Sequence, residues 1–393
     1  NAISVATYRA PQLIHQHERL IRQLEKYNGL ERKMENLPDD ETLASRISNG
    51  GGLFRPELAV LMAYNKMTMF QALLDSDVPE DPFLFSELER YFPAILSKRF
   101  TKQLSQHRLR REIIATHVTN RLSHRVDPSF TLKLSEMTGC GYPEVTRAYA
   151  AAHEIYAMDL IWSAVESLDN QVQTKIQQQI LIDAGQLIES GTIWLLCNRP
   201  IPLNINATVE LFRESTTILW NSFPRVLAAS NRLTQKRRVR NFLNAKVPAD
   251  LANRAAGLVA MSASLDIVDV AQDIKEDVSA VATVYFELGD RLGLHWLRDR
   301  IGDLDVPSHW HSKAKFSLRH HLYRHQRDLV ATVLASTEGK SKARVRQWIL
   351  DNHTKCDRLR HIVTDLRSTG TRDFAMLSVA VSEAGSMLAG NIL

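Results

Sequence analysis

Val172–Asn198, VQTKIQQQILIDAGQLIESGTIWLLCN, is the stretch on which the fold class turns. Ile176, Ile180, Ala184, Leu187, Ile188, Gly191, Trp194 and Leu195 recur at spacings of three and four. That is the period of one face of an α-helix, not the alternation of a strand. The run ends at Arg199-Pro200-Ile201-Pro202, because two prolines so close together cannot continue a helix.

The same period recurs in both directions. Upstream, Leu13, His17, Leu20, Ile21 and Leu24 mark a helix that stops before Asn28-Gly29. Pro38-Asp39-Asp40 caps a short helix carrying Leu43 and Ile47, and Gly50-Gly51-Gly52 ends it. Pro56-Glu57 opens the next, since proline suits a first turn and an acid suits its positive dipole end. Its stripe is Leu58, Leu61, Met62, Met69, Ala72 and Leu73, widened by Ala59, Met67 and Phe70, so the helix is expected to be buried on most sides. Downstream, the spacing predicts helices over 211–221, 231–244, 249–261, 278–292, 316–334, 342–352 and 356–366. The last segment, 374–389, is apolar around most of its circumference and carries a stripe of small residues, Ser378, Ser382, Gly385 and Ala389, read as a close packing face. No repeat of fixed period emerges. The expectation is an all-α, multi-helix, bundle-like fold with no substantial β-sheet. It would divide into a helical junction over 1–50, a first subdomain over 51–198, a Pro-containing break over 199–205 and a second subdomain over 206–393.

Composition agrees with a packed chain. Of 393 residues, 44% are apolar and 24% charged, which excludes disorder. Only 16 Gly and 13 Pro interrupt that length, favouring long helices. Three scattered cysteines cannot pair fully and form no CxxC, so a reduced, cytoplasmic setting is expected. Charges break the longest apolar runs, and no membrane span is expected.

The chain contains no GxGxxG, HExxH or GxSxG. Gly339-Lys340-Ser341 is similar to the end of a phosphate loop, but Leu334 takes the place of the required earlier glycine, so no phosphate site is read there. His321 and His325 are one helical turn apart, beside His320 and downstream of His309 and His311. Such a pair can hold a divalent metal when a third ligand converges. Arg319, Arg324 and Arg327 crowd it with like charge, so the reading is a solvated basic helix. No catalytic, cofactor-binding or metal residue is assigned.

The net charge is +5 and the pI about 9.0. Basic residues gather in three stretches, 98–125, 232–246 and 313–346. A basic helical module for nucleic acid or for a protein partner is the alternative function this balance raises, although no base-reading pattern frames the charges. The first stretch is unusual because Arg110, Ile114, His117 and Arg121 share one stripe. Charge on a partly apolar face is costly without a partner, so carboxylates are expected opposite, from this chain or from another domain.

Gly52-Leu53-Phe54-Arg55-Pro56-Glu57-Leu58-Ala59-Val60-Leu61-Met62-Ala63-Tyr64-Asn65-Lys66 resembles the GLTRPELAVLLAYxK segment of the large NAD-specific glutamate dehydrogenases, with Phe54 in place of the usual Thr. Further segments similar to that family follow in order: Leu37–Asp40, Leu88–Pro93, His107–Thr116, Trp162–Asp169 and Leu294–Arg300. The resemblance implies a longer parent oxidoreductase of amino-acid catabolism that turns L-glutamate, NAD and water into 2-oxoglutarate, ammonia and NADH. Its catalytic and NAD-binding parts would lie upstream of residues 1–50, leaving this chain a structural or regulatory tail without chemistry of its own. The partners implied are that upstream catalytic domain and further copies in a homo-oligomer. Arg55, Glu57, Arg110, His117 and Arg121 are the candidate interdomain or ion-pair contacts.

Overall fold

A computed structural model describes residues 2–370 and 373–388. Every regular element among them is helical. The chain divides into two compact units, Asn1–Met158 with Ala184–Glu210, and Asp159–Asp183 with Leu211–Leu393.

In chain order the helices are α1 (Ala2–Tyr27), α2 (Asp40–Ser48), α3 (Arg55–Leu74), α4 (Phe85–Tyr91), α5 (Ala94–Arg99), α6 (Thr101–Ser105), α7 (Arg110–Ser123), α8 (Phe130–Thr138) and α9 (Tyr142–Ile155). Two short 3-10 turns, Val78–Glu80 and Pro82–Leu84, lie between α3 and α4. Then come α10 (Met158–Glu166), α11 (Thr174–Asn198) and α12 (Ile205–Val226). The remainder are α13 (Ala229–Asn244), α14 (Ala249–Met261), α15 (Ser264–Ile274), α16 (Val278–Leu292), α17 (Leu294–Gly302), α18 (His309–Ser336), α19 (Ser341–Asp351), α20 (His353–Thr369) and α21 (Phe374–Ser386).

In the first unit α3 packs against α1, α7 and α9. Its stripe residues Leu58 and Leu61 meet Leu20, Ile21 and Leu24 of α1 and Leu43 of α2 in one buried cluster. Each such leucine contributes roughly 1.5–3 kcal/mol by leaving water. Local chemistry sets the ends. Asp39 accepts the Thr42 backbone N–H at 2.8 Å and starts α2. His17, which the sequence places on the apolar stripe of α1, is fully buried. Its Nε2 reaches the Asp127 carboxylate at 3.1 Å, and Asp127 also accepts the Ser129 backbone N–H at 2.9 Å.

In the second unit α16 is central, packing against α13, α15, α17, α18, α19 and α20. Val281, Ala282, Val284, Tyr285, Phe286 and Leu288 are all buried, as that position requires. Asp277 caps α16 through the Ala280 N–H at 2.9 Å, and Gly293 ends it in a left-handed turn at φ 74°.

α11, which carries the 172–198 signal, is long and apolar enough to cross a membrane by length and composition. Half of that apolar stretch is buried within the protein, and both of its carboxylates are paired. Glu189 accepts from Lys133 at 2.6 Å, and Asp183 accepts from Arg238. These are the features of a core helix.

Two sequence expectations change. The small-residue stripe of α21 is not its packing face: Ser378 and Ser382 are exposed, while Leu377, Ala380, Val381 and Ala384 are buried. Ser378 satisfies its hydroxyl on its own helix, at Ala375 O. Gly385 lies against the His325 ring of α18, and Ala389 lies outside the described residues. Likewise α18 is not a solvated helix. Leu322, Gln326, Leu329, Val330 and Val333 are buried, and His320, His321 and His325 are half-buried. Among the described residues no three His, Cys, Asp or Glu side chains gather where a metal ion could be held.

Candidate interdomain contact site

The first unit builds two carboxylate-centred clusters from the residues singled out above. At the start of α3, Phe54 is the N-cap position and its side chain accepts no hydrogen bond. Glu57 compensates in part, its Oε2 accepting the Phe54 backbone N–H at 2.6 Å. The same carboxylate receives Arg46 in a two-point fork, Nη1 to Oε2 at 2.7 Å and Nη2 to Oε1 at 2.9 Å. A planar fork of this kind is the strongest arrangement a guanidinium makes with a carboxylate. The Arg46 guanidinium also lies 4.2 Å from the centre of the Phe54 ring.

The second cluster centres on Glu87 of α4, whose side chain is 3% exposed. His117 and Arg121 of α7 both reach it. His117 Nδ1 is 2.6 Å from Oε2, and since a carboxylate only accepts, Nδ1 carries the proton. Arg121 donates to Oε1, and Arg90 donates to that oxygen at 2.8 Å. Arg121 lies further within 3.6 Å of Glu154 and beside the His153 ring. Burial pushes the Glu87 carboxyl up, but the His117 hydrogen bond and the charges of Arg121 and Arg90 outweigh it and hold the group below its ordinary range. The carboxylate expected opposite the α7 stripe is therefore Glu87, from this chain. It sits one residue before Leu88–Pro93, and no periodicity or motif marks it.

Arg55 and Arg110 go elsewhere. Both are exposed, and no ion pair to either is found among the described residues. Arg55 is at the first turn of α3 and Arg110 starts α7. The five candidates thus separate into three held in internal clusters and two facing outward.

A third polar feature escaped the sequence reading. In the second unit Arg298, from Leu294–Arg300, donates to Gln326 Oε1 at 2.7 Å and to the Tyr285 hydroxyl at 3.2 Å. Its guanidinium lies 3.9 Å from the centre of the Tyr323 ring. Next to it, His295 Nε2 is 3.2 Å from Phe286 O. Burial, reinforced by the Arg298 charge, pushes His295 down to about 3. Gln326 Nε2 closes the group by donating to Tyr285 O at 2.9 Å.

One cleft of about 610 Å³ opens in the first unit, lined in part by Phe83, Arg147, Leu203 and Asn204. Arg147 is held there by Asp77 at 2.9 Å and Asp81 at 3.6 Å, so its charge is already met by two acids. A dinucleotide fold places its pyrophosphate where a strand turns into a helix. The described residues contain no strand, and they do not fit NAD in that way.

Comparison with known proteins places these clusters in a family. Residues 50–385 match the family described as "Glutamate dehydrogenase, C-terminal". The NAD-specific glutamate dehydrogenase of Halomonas elongata is 30% identical over 392 residues, 99% of this chain and 24% of that protein. Its namesake in Pseudomonas aeruginosa is 33% identical over 384 residues, 97% of this chain and 24% of that protein. In Mycobacterium tuberculosis the corresponding protein is 30% identical over 380 residues, 96% of this chain and 23% of that protein. The chain thus spans about a quarter of the length of these relatives, and nothing in the matches supports the nucleic-acid alternative. With nearly all of its length matched, Gly52–Lys66 included, the chain belongs to the glutamate dehydrogenase C-terminal family.

Proposed function

We propose that this chain is the helical, non-catalytic C-terminal portion of an NAD-dependent glutamate dehydrogenase, the enzyme that converts L-glutamate, NAD and water to 2-oxoglutarate, ammonia and NADH. Its work is to dock against the catalytic portion of the same polypeptide and to support assembly of a homo-oligomer in the cytoplasm. The observation that carries this reading is the match of 99% of this chain to 24% of a much longer relative. The internal satisfaction of its buried charges also speaks for a scaffold. Glu57, Glu87 and Arg298 are each occupied by partners within the chain, so their charges stabilise helix packing rather than wait on a substrate. Free Cys140, Cys197 and Cys356 suit a reducing compartment.

Following NADH formation from glutamate tests both halves. The 393-residue chain alone is expected to turn over no glutamate. The dehydrogenase lacking this region is expected to lose at least about tenfold in kcat/KM, or about 1.4 kcal/mol of transition-state stabilisation, or to fall to a smaller assembly by sedimentation. Turnover by the isolated chain overturns the non-catalytic half. Full activity and assembly without it overturn the scaffold half.

A further inference from the structure

Residues 91–110 contain Lys98, Arg99, Lys102, Arg108 and Arg110 and no acid. None of the five forms an ion pair among the described residues, although most other arginines of this unit do. In the same segment the large apolar side chains face water: Ile95 is 80% exposed, Tyr91 53%, Leu109 51%, Leu96 43% and Phe100 38%. α5 buries no residue and α6 only Leu104. The two short helices pack chiefly on α4 and on each other, tied down by Ser97 Oγ, which donates to Glu89 O at 2.6 Å.

An isolated exposed leucine is ordinary, whereas several contiguous apolar side chains rimmed by charge mark a contact surface. Twenty residues are also about what one side of a standard-size protein interface contributes. We propose that the α5–α6 arm is a docking surface for a protein face with an apolar centre and an acidic rim, carried by the catalytic portion of the dehydrogenase polypeptide. This rests on the function proposed above and names the surface it uses. Charge complementarity selects the partner's rim, since five unpaired cations with no acid among them repel any basic face. The size of the relatives supplies the source, because about three quarters of their length lies outside the region matched. Two other partner classes fit less well. Single-stranded nucleic acid wants successive aromatic platforms for its bases, and although Tyr91 and Phe100 are aromatic, Ile95, Leu96 and Leu109 are aliphatic. A membrane surface wants a longer amphipathic helix lying in its plane, and α5 has six residues and α6 five.

Hydroxyl-radical footprinting of Tyr91, Ile95 and Phe100, in the intact dehydrogenase and in the 393-residue chain alone, tests the assignment. A side chain moving into the water-excluded centre of an interface is expected to lose at least about fivefold in modification rate. The combination Lys98→Glu, Arg99→Glu and Lys102→Glu is expected to restore the rate in the intact enzyme. Because these side chains are exposed, the substitutions leave the helical circular dichroism of the chain unchanged. Equal rates in the two proteins overturn the proposal. So does protection that appears in the chain alone as its concentration rises, which means a second copy, or protection that appears only with phosphatidylserine-containing vesicles or duplex DNA. Loss of activity without this chain, together with an unprotected arm, leaves the scaffold function standing and removes this surface. Full activity and assembly without the chain remove the function itself.

Discussion

Glu87 shows how a single carboxylate can organise a helix pair. It lies on α4, is 3% exposed, and is approached by His117, Arg121 and Arg90. Glu87→Gln keeps the shape and removes the charge, leaving Arg121 only the more distant Glu154 at 3.6 Å and taking from His117 and Arg90 the carboxylate they share. Breaking a buried pair costs about 3–5 kcal/mol; the partial exposure of Arg121 and His117 reduces the expected loss to roughly 2–3 kcal/mol, measurable as a shift in denaturant midpoint. A loss under about 0.5 kcal/mol would show that water replaces the carboxylate without penalty. Because Glu87 is held below its ordinary range, its contribution is present above its unfolded pKa, near about 4.3, and is lost as pH falls through the lower folded value. Gly289 makes the opposite point, since here an absent side chain matters. A Cβ at this position would sit 2.6 Å from both Gln326 Nε2 and the His295 ring. Elsewhere in a helix Gly→Ala gains about 1 kcal/mol. Gln326 is fixed between Arg298 and Tyr285 O, so crowding of about 1–3 kcal/mol is expected to win. Gly289→Ala should lower the thermal midpoint, and a raised midpoint would mean that Gln326 swings aside freely.

At the scale of the element, residues 52–66 depart from the GLTRPELAVLLAYxK pattern at Phe54 and, conservatively, at Met62, and the first departure has a physical account. Position 54 is the N-cap of α3, where threonine would accept a first-turn N–H and phenylalanine cannot. A cap is worth about 0.5–2 kcal/mol, and the exposed stack of Arg46 on the Phe54 ring about 0.5–1 kcal/mol. Phe54→Thr is therefore expected to be neutral to stabilising by up to about 1 kcal/mol, read by chemical denaturation. A destabilised variant would put the stack above the cap. The same local signals decide what was legible beforehand. Periodicity and flanking caps place α14 and α16 to the residue, at Ala249–Met261 and Val278–Leu292. They miss α15, which follows Met261 after only Ser262 and Ala263, and α17, which starts directly after Gly293. Neither has a side-chain N-cap, and each is short enough to read as the tail of its neighbour. α5 and α6 carry no buried stripe to detect. The α7 stripe announces that a carboxylate is needed, but its partner comes from 30 residues away, and pairing over such a distance leaves no periodic trace.

For the whole molecule, buried histidines give the two units different responses to acid. His295 lies in the second unit, pushed down to about 3 chiefly by burial and then by Arg298, against the opposing hydrogen bond to Phe286 O. His320, His321 and His325 of the same unit are also lowered, burial again leading. In the first unit His124 is lowered, and Asp127 is held well below its range by His17 and Ser129 despite its burial. A histidine with a depressed folded pKa is neutral in the native state and takes up its proton on unfolding. Its contribution is thus fully present above about 6.5 and is lost as pH falls toward the folded value. For Asp127 the loss begins only below its unfolded pKa, near about 3.9. Between pH 6.5 and 5 His295 alone should cost the second unit about 2 kcal/mol, at about 1.4 kcal/mol per pH unit. Amide hydrogen exchange at the two pH values, corrected for the intrinsic rate, is expected to show protection falling in α16 and α17 more than in α1 and α3. His295→Gln cannot be protonated, so it should remove most of that difference even if it lowers stability at pH 7. An unchanged pH dependence in the variant would place the acid response in the α18 histidines instead, and equal losses in both units would show that no buried histidine sets it.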